Sequence, residues 1–188
     1  MKKTFIAMAA SALLAFAATA QAQGYVGAAG GPTNLDADCT GTITCDNSGT
    51  GFKVYGGYKF LPFLAGELTY MSFGKAKASV GFGGGVVNAE IKTTGFGGGV
   101  ALMGDLAPNW PAAARLGVAR VKADVTGSAF GVSASDSDDT TQAYFGFDVG
   151  YAFSKNAAVT LSADFSRSKY AGETADVRLL GVGFRFSF

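Results

Sequence analysis

The sequence predicts an all-β fold, an eight-stranded antiparallel transmembrane β-barrel. Three observations carry that expectation: eight segments in which apolar and polar residues alternate, connections that alternate between short and long, and no apolar run beyond the N-terminal segment long enough for a membrane helix. A soluble β-sandwich also alternates, but its apolar faces pack inward and its strands seldom set an acid or base opposite each apolar stripe.

The first residues are read separately from the barrel. Met1, Lys2 and Lys3 supply a positive start, Ile6 to Ala18 an apolar stretch, and Ala20-Gln21-Ala22 an A-x-A cleavage pattern. The apolar stretch is short for a bilayer and lacks a basic stop-transfer flank. Residues 1–22 are therefore expected to be a cleaved signal peptide, leaving 23–188 as one barrel domain. Losing Lys2 and Lys3 turns 15 bases against 14 acids into 13 against 14. Without a basic excess, nucleic acid is excluded as a partner chosen by bulk charge. The 28 Gly and 16 Phe within a 48% hydrophobic chain are unusual for a soluble domain and call for apolar surface buried by something other than helices.

Taken in chain order, the first strand is short, about Tyr25 to Gly30. In the second, Phe52 to Phe60, Phe52, Val54, Tyr58 and Phe60 share one parity while Lys53, Tyr55 and Lys59 take the other. The third, Leu64 to Phe73, sets Leu68 and Tyr70 against Glu67 and Thr69. The fourth, about Ile91 to Met103, sets Phe96, Val100 and Leu102 against Gly95, Gly97, Gly99 and Ala101. In the fifth, about Ala113 to Val121, Leu116 and Val118 oppose Arg115, Gly117 and Ala119. The sixth alternates most clearly, with Phe145, Phe147, Val149, Tyr151 and Phe153 against Tyr144, Gly146, Asp148 and Gly150. The seventh sets Val159, Leu161, Ala163 and Phe165 against Thr160, Ser162, Asp164 and Ser166. The eighth runs to the C-terminus with Leu180, Val182, Phe184, Phe186 and Phe188 against Gly181, Gly183, Arg185 and Ser187. Successive side chains of a strand point to opposite faces, so in each segment the greasy parity faces lipid and the other faces the lumen.

Short links fall at Leu61 to Pro62, Asp105 to Pro111 and Ser154 to Asn156. Long ones are expected at about 31–50, 74–90, 122–141 and 167–175. Short periplasmic turns and long extracellular loops are the asymmetry of outer-membrane barrels, and both termini on the short-turn side require an even strand number.

The N-terminal segment, GFKVYGGYKFLPFLAGELTYMSFG at 51–74, ARLGVARVKAD at 114–124 and the ending VRLLGVGFRFSF at 177–188 together resemble the OmpA-like family of outer-membrane β-barrels, porin-like surface proteins, over the whole mature chain. The resemblance implies a Gram-negative outer-membrane location. It also implies that the C-terminal strand, with Phe184, Phe186 and a final Phe188, is read by the barrel-assembly machinery. Two-domain relatives append a peptidoglycan-binding domain; this chain stops at Phe188, so peptidoglycan anchoring is not expected. The family's motifs specify a fold and no activity.

Inside the barrel the parity collects Lys53, Lys59, Glu67, Arg115, Asp148, Asp164 and Arg185, four bases facing three acids. An eight-stranded barrel is only wide enough for side chains to fill it, and charges left unpaired there would be strongly penalised. An ion-pair network centred on Glu67, Arg115, Asp148 and Asp164 is expected, either plugging the lumen or lining a narrow pore, with the inner glycines leaving room for Arg and Tyr side chains or for water.

No catalytic residue and no cofactor are expected. The chain has no His, which rules out a Ser-His-Asp/Glu arrangement, and neither a G-x-S-x-G elbow nor a G-x-x-x-x-G-K-[ST] loop occurs. Cys39 and Cys45 in an exported chain suit a disulfide in the first outer loop; without His a metal pair is the poorer reading. The acids Asp36, Asp38 and Asp46, and Asp136, Asp138 and Asp139, lie in expected outer loops, but D-S-D-D lacks the Gly and distal Glu of an EF-hand, so no metal site is expected. Lys75, Lys77, Arg120, Lys122, Arg167, Lys169 and Arg178 fall near the extracellular strand ends, and Arg120, Lys122, Arg167, Lys169 and Arg178 are the candidates for lipopolysaccharide contacts. Tyr58, Phe60, Phe63, Trp110, Tyr151 and Phe153 suit the periplasmic aromatic girdle. The expected role is structural or surface-interacting, in a monomer held by outer-membrane lipid and lipopolysaccharide, with a narrow solute channel as the alternative.

Overall fold

A computed structural model describes residues 23–36, 44–46, 48–82, 85–129, 132–170 and 173–188. The expected signal peptide and Cys39 lie outside the described residues. The strands are β1 (Gly24–Asp36), β2 (Thr44–Asp46), β3 (Ser48–Leu61), β4 (Leu64–Phe82), β5 (Gly85–Ala107), β6 (Trp110–Ala129), β7 (Val132–Ala152), β8 (Ala157–Tyr170) and β9 (Glu173–Ser187).

Eight of these form the closed antiparallel barrel, in the cyclic order β1-β3-β4-β5-β6-β7-β8-β9 and back to β1. The ninth, β2, is a three-residue segment laid on the outer end of β4, where the Cys45 backbone pairs with Ala78. Closure joins the two ends of the chain: Tyr25 pairs with Ser187, and the Gly24 and Phe188 backbones exchange hydrogen bonds of 3.1 and 2.8 Å. Closing the sheet removes the unpaired edge where the chain crosses lipid, as it must; further out the β7–β8 ladder ends at Phe145↔Phe165.

The two-residue period puts Phe52 and Val54, Leu116 and Val118, Phe145 and Phe147, and Phe184 and Phe186 on the exposed outer wall. The intervening residues fill the interior. At one end the links are the tight turns at 62–63, 108–109 and 153–156, and aromatic residues gather there, with Trp110 and Tyr151 meeting edge to face at 5.7 Å.

At the other end the structure corrects the expected long loops. The β4–β5 ladder continues to Phe82↔Gly85, β6–β7 to Ala129↔Val132 and β8–β9 to Tyr170↔Glu173, so most of 74–90, 122–141 and 167–175 is paired strand. Polar composition there does not mark a loop, because strands standing beyond the lipid have water on both faces and need no apolar stripe. One bulge interrupts this region. Between Ser72 and Lys75 β4 spends one residue more than β5, and Gly74 takes φ +77°. A Cβ there would lie 2.5 Å from the Thr50 carbonyl oxygen, so glycine is required. Past the bulge the parity inverts and Lys75 stands exposed, 2.7 Å from Glu90.

Candidate functional site: the lumen and its rim

Facing residues of β3, β4, β6, β7 and β8 bring the expected charges together. Arg115 Nε donates to Glu67 Oε1 at 2.6 Å, and its Nη2 stands 2.6 Å from Asp148 Oδ2. Lys53 Nζ lies 3.1 Å from Asp148 Oδ1 and 2.7 Å from Asp164 Oδ2. The chain of contacts therefore runs Glu67, Arg115, Asp148, Lys53, Asp164. All four residues expected at the centre are present, but Lys53 is the bridge between the two aspartates.

Two tyrosines complete the acids. Tyr25 OH donates to Glu67 Oε2 and Tyr144 OH to Asp164 Oδ1, each at 2.9 Å. A third, Tyr55, offers its ring face to the Arg115 guanidinium at 4.5 Å and to Lys53 Nζ at 5.2 Å. The alternation sets Tyr55 and Tyr144 on the inner parity without a contact for either and leaves Tyr25 unassigned; the signal was that an acid in so tight an interior needs more donors than two bases supply. Inner glycines admit the rings. A Cβ on Gly27 would lie 2.3 Å from Tyr55 Cζ, and one on Gly57 2.4 Å from the Tyr25 hydroxyl.

The network is desolvated, with Lys53 and Asp164 side chains 1% and 0% exposed. Taking such charges out of water is costly; the ion pairs and the Tyr25 and Tyr144 hydroxyls offset part of that cost, while Arg115 Nη1 has no hydrogen-bond partner among the described residues.

Toward the extracellular end the lumen changes character. Met71, Phe73, Val121, Val177 and Leu179 pack together with Ala119 and Tyr144, all buried. Thr33 closes the layer from β1, its hydroxyl donating to the Phe73 carbonyl at 2.8 Å. This apolar cap was not anticipated. Each of its members follows the inner parity of its strand, but in a sequence scanned for polar lumen residues an inward Val or Leu is indistinguishable from a lipid-facing one; in β9 Leu179 and Leu180 sit side by side and face opposite ways.

Arg185 is also inside, 7% exposed, yet stands apart from the network, with no hydrogen-bond or ion-pair partner among the described residues. Lys59 lies below, half-buried near the periplasmic mouth.

The rim carries a different set of pairs. Arg120 Nε donates to Asp139 Oδ2, Lys122 Nζ stands 2.6 Å from Asp124 and Arg167 Nε 3.1 Å from Asp176. Three of the five candidate lipopolysaccharide contacts thus stand beside a carboxylate. Arg178 is exposed on β9, and Lys169 lies on β8. Asp136, Asp138 and Asp139, expected in a loop, belong to β7. Asp139 lies above the apolar band, where the Arg120 hydrogen bond holds its carboxyl below the usual aspartate range.

A closed eight-stranded barrel with an apolar outer wall, an aromatic lower girdle and a filled polar interior defines an outer-membrane barrel protein. The model of the outer membrane protein β-barrel domain family matches residues 4–188, and the chain belongs to that family. A search of the curated protein sequences finds no match. Among solved structures the chain is similar to Neisserial surface protein A, at 14% identity and a TM-score of 0.62, covering 88% of this chain and 97% of the other. It is similar to OprG from Pseudomonas aeruginosa at 16% identity and TM-score 0.56, covering 88% and 96%. It is likewise similar to Ail, the attachment invasion locus protein of Yersinia pestis, at 18% identity and TM-score 0.55, covering 89% and 100%. These likenesses concern the fold. The protein resides in the outer membrane.

Proposed function

We propose that the protein is a plugged, non-catalytic scaffold of the outer membrane, serving envelope integrity and surface contact through the hairpins it holds outside the cell. The observation that carries this reading is the two-layer filling of the lumen: the Lys53, Glu67, Arg115, Asp148 and Asp164 network with the cap of Met71, Phe73, Val121, Val177 and Leu179 stacked above it. A barrel of eight strands is filled by its own side chains in this way. The absence of His from the chain supports the non-catalytic part. Rigid barrels present outer segments in fixed positions, which is where contact with other molecules takes place.

The measurement is single-channel conductance of the refolded mature barrel in a planar bilayer, beside Glu67→Ala. A silent membrane from folded protein is the expected result. A narrow channel for small solutes or ions is the second reading, favoured by the number of buried charges. Steady discrete openings that change with Glu67→Ala would establish it and displace the plug.

The remaining assignments belong to the same reading. Arg120, Lys122, Arg167, Lys169 and Arg178 face lipopolysaccharide headgroups, with the acids beside three of them tempering the attraction. The C-terminal strand with Phe184, Phe186 and Phe188 is the element read by the assembly machinery. Cys39 and Cys45 form a disulfide, so alkylation of exported protein should find no free thiol without reductant. The mature chain is a monomer without cofactor.

A further inference from the structure

From Arg185 and its surroundings we infer a binding site for a small oxyanion, phosphate or carboxylate, in the periplasmic mouth of the barrel. A guanidinium has five N–H donors and no acceptor capacity, and it remains charged at any physiological pH. Arg185 is more than nine-tenths buried, yet no described residue hydrogen-bonds it or pairs with it. Its donors open toward the mouth of the barrel, where water or an acceptor supplied from outside the chain must serve them.

The register shows what surrounds it. Gly27 on β1 pairs with Tyr55 on one side and with Arg185 on the other, and Ala158 pairs with Arg185 from β8. Two residues further along the inner parity of β8 is Thr160. The Tyr55 hydroxyl and Thr160 Oγ1 are both buried without a hydrogen-bond partner. Below, a cavity open to the periplasm is lined by Lys59, Asp105, Lys155 and Arg185. Lys59 feels Arg185 as a like charge and Asp105 as an opposite one.

The mouth therefore carries three bases and one acid, with two unpartnered hydroxyls above them. The three acids of the network are already engaged by Lys53, Arg115, Tyr25 and Tyr144. Donors in excess of acceptors, partly screened from water, describe an oxyanion site, and the planar fork of arginine matches the paired oxygens of phosphate or carboxylate. Water can satisfy single donors but leaves Lys59 and Arg185 repelling one another; an anion removes that repulsion. Because the network and the cap fill the lumen above, the site is a blind cup that holds its ligand and does not conduct it. The inference is independent of what the outer hairpins do.

The test uses the refolded mature barrel in a neutral detergent free of phosphate, with the arginine Nε–Hε signals followed by NMR. Inorganic phosphate and, separately, acetate are titrated at constant ionic strength against chloride. The expected result is a saturable shift of one buried arginine signal, assigned by its loss in Arg185→Gln, with affinity weakened on the order of tenfold in Lys59→Gln. A shift with acetate alone identifies the ligand class as carboxylate. Transfer to nanodiscs of phosphatidylglycerol without free anion distinguishes the sources: the bound-state shift appearing there assigns the site to a lipid headgroup, and its absence assigns it to a soluble anion. If Arg185→Gln does not refold, judged by heat-dependent mobility on a detergent gel, Lys59→Gln decides alone, since its side chain reaches the open mouth. A linear, unsaturating response to both anions, or equal affinity in Lys59→Gln, overturns the inference.

Discussion

Ion pairs occur in two regions of this barrel at similar distances and with opposite consequences. In the lumen Glu67, Arg115, Asp148, Lys53 and Asp164 are linked in that order by contacts of 2.6–3.1 Å, with side chains at most 4% exposed. On the rim Lys122 and Arg167 meet their acids at 2.6 and 3.1 Å with side chains more than a third exposed. Distance is not what differs. In the interior, water cannot replace a lost partner, so removal of one charge strands another; on the rim, water and salt take the partner's place at once.

The largest effect that would test this contrast is expected at Arg115. Its guanidinium serves both Glu67 and Asp148, so Arg115→Ala leaves two buried carboxylates short of a base and should destabilise the barrel by about 3–5 kcal/mol. Reversible urea unfolding in lipid vesicles measures it. A loss no larger than that of a rim substitution would erase the distinction between the two regions.

A second test asks whether the upper lumen obeys core packing rather than electrostatics. Leu179 is fully buried in the cap. Leu179→Ala should cost about 2–5 kcal/mol through lost contacts and the cavity left behind, with little dependence on salt. If the same unfolding experiment showed the loss only at low ionic strength, the cap would have to be reassigned to the charged layer beneath it.

A smaller effect is expected at Gly27. An added methyl would meet the Tyr55 ring, over whose face the Arg115 guanidinium lies at 4.5 Å. Gly27→Ala should therefore destabilise by about 1–3 kcal/mol, and truncating Tyr55 in the same chain should recover part of that loss. Failure of the second substitution to rescue the first would show that the glycine answers to backbone geometry.

These expectations also separate what was legible in the sequence from what was not. Strand alternation has a period of two and a barrel has only two faces, so Lys53, Glu67, Arg115, Asp148, Asp164 and Arg185 could be assigned to the lumen by counting alone. Which of them would touch could not be counted, because contact depends on strand stagger and side-chain reach. Lys53 on β3 thus became the bridge to Asp148 and Asp164 on β7 and β8, and Arg185 was left apart. The apolar cap was hidden for a different reason. Outside and inside both accept Leu, Val and Met in a lipid-embedded barrel, so hydrophobicity stops discriminating where the lumen is dry. Beyond the lipid the discrimination failed in the other direction: Lys122, Asp124 and Asp139 are polar because water surrounds the hairpin, and that polarity concealed strand pairing that runs on to Ala129↔Val132.

The least costly disturbance is expected at Arg120 and Asp139, where the contrast predicts a titration change without a change in stability. Arg120 donates to Asp139 and holds its carboxyl below its ordinary value of 3.8. A carboxylate whose folded value is depressed contributes stability above its unfolded value and loses it as pH falls through the folded one. Both partners are open to solvent, so screening leaves that contribution too small to see in unfolding. In Arg120→Gln the Asp139 carboxyl, followed by NMR as pH is lowered, should protonate at higher pH than in the parent, nearer its ordinary value, while urea midpoints at neutral pH coincide. A shared midpoint with a shifted titration is the signature of a solvated pair. A displaced urea midpoint would mean that the rim pair is held as firmly as those in the lumen, and the two regions would no longer differ in kind.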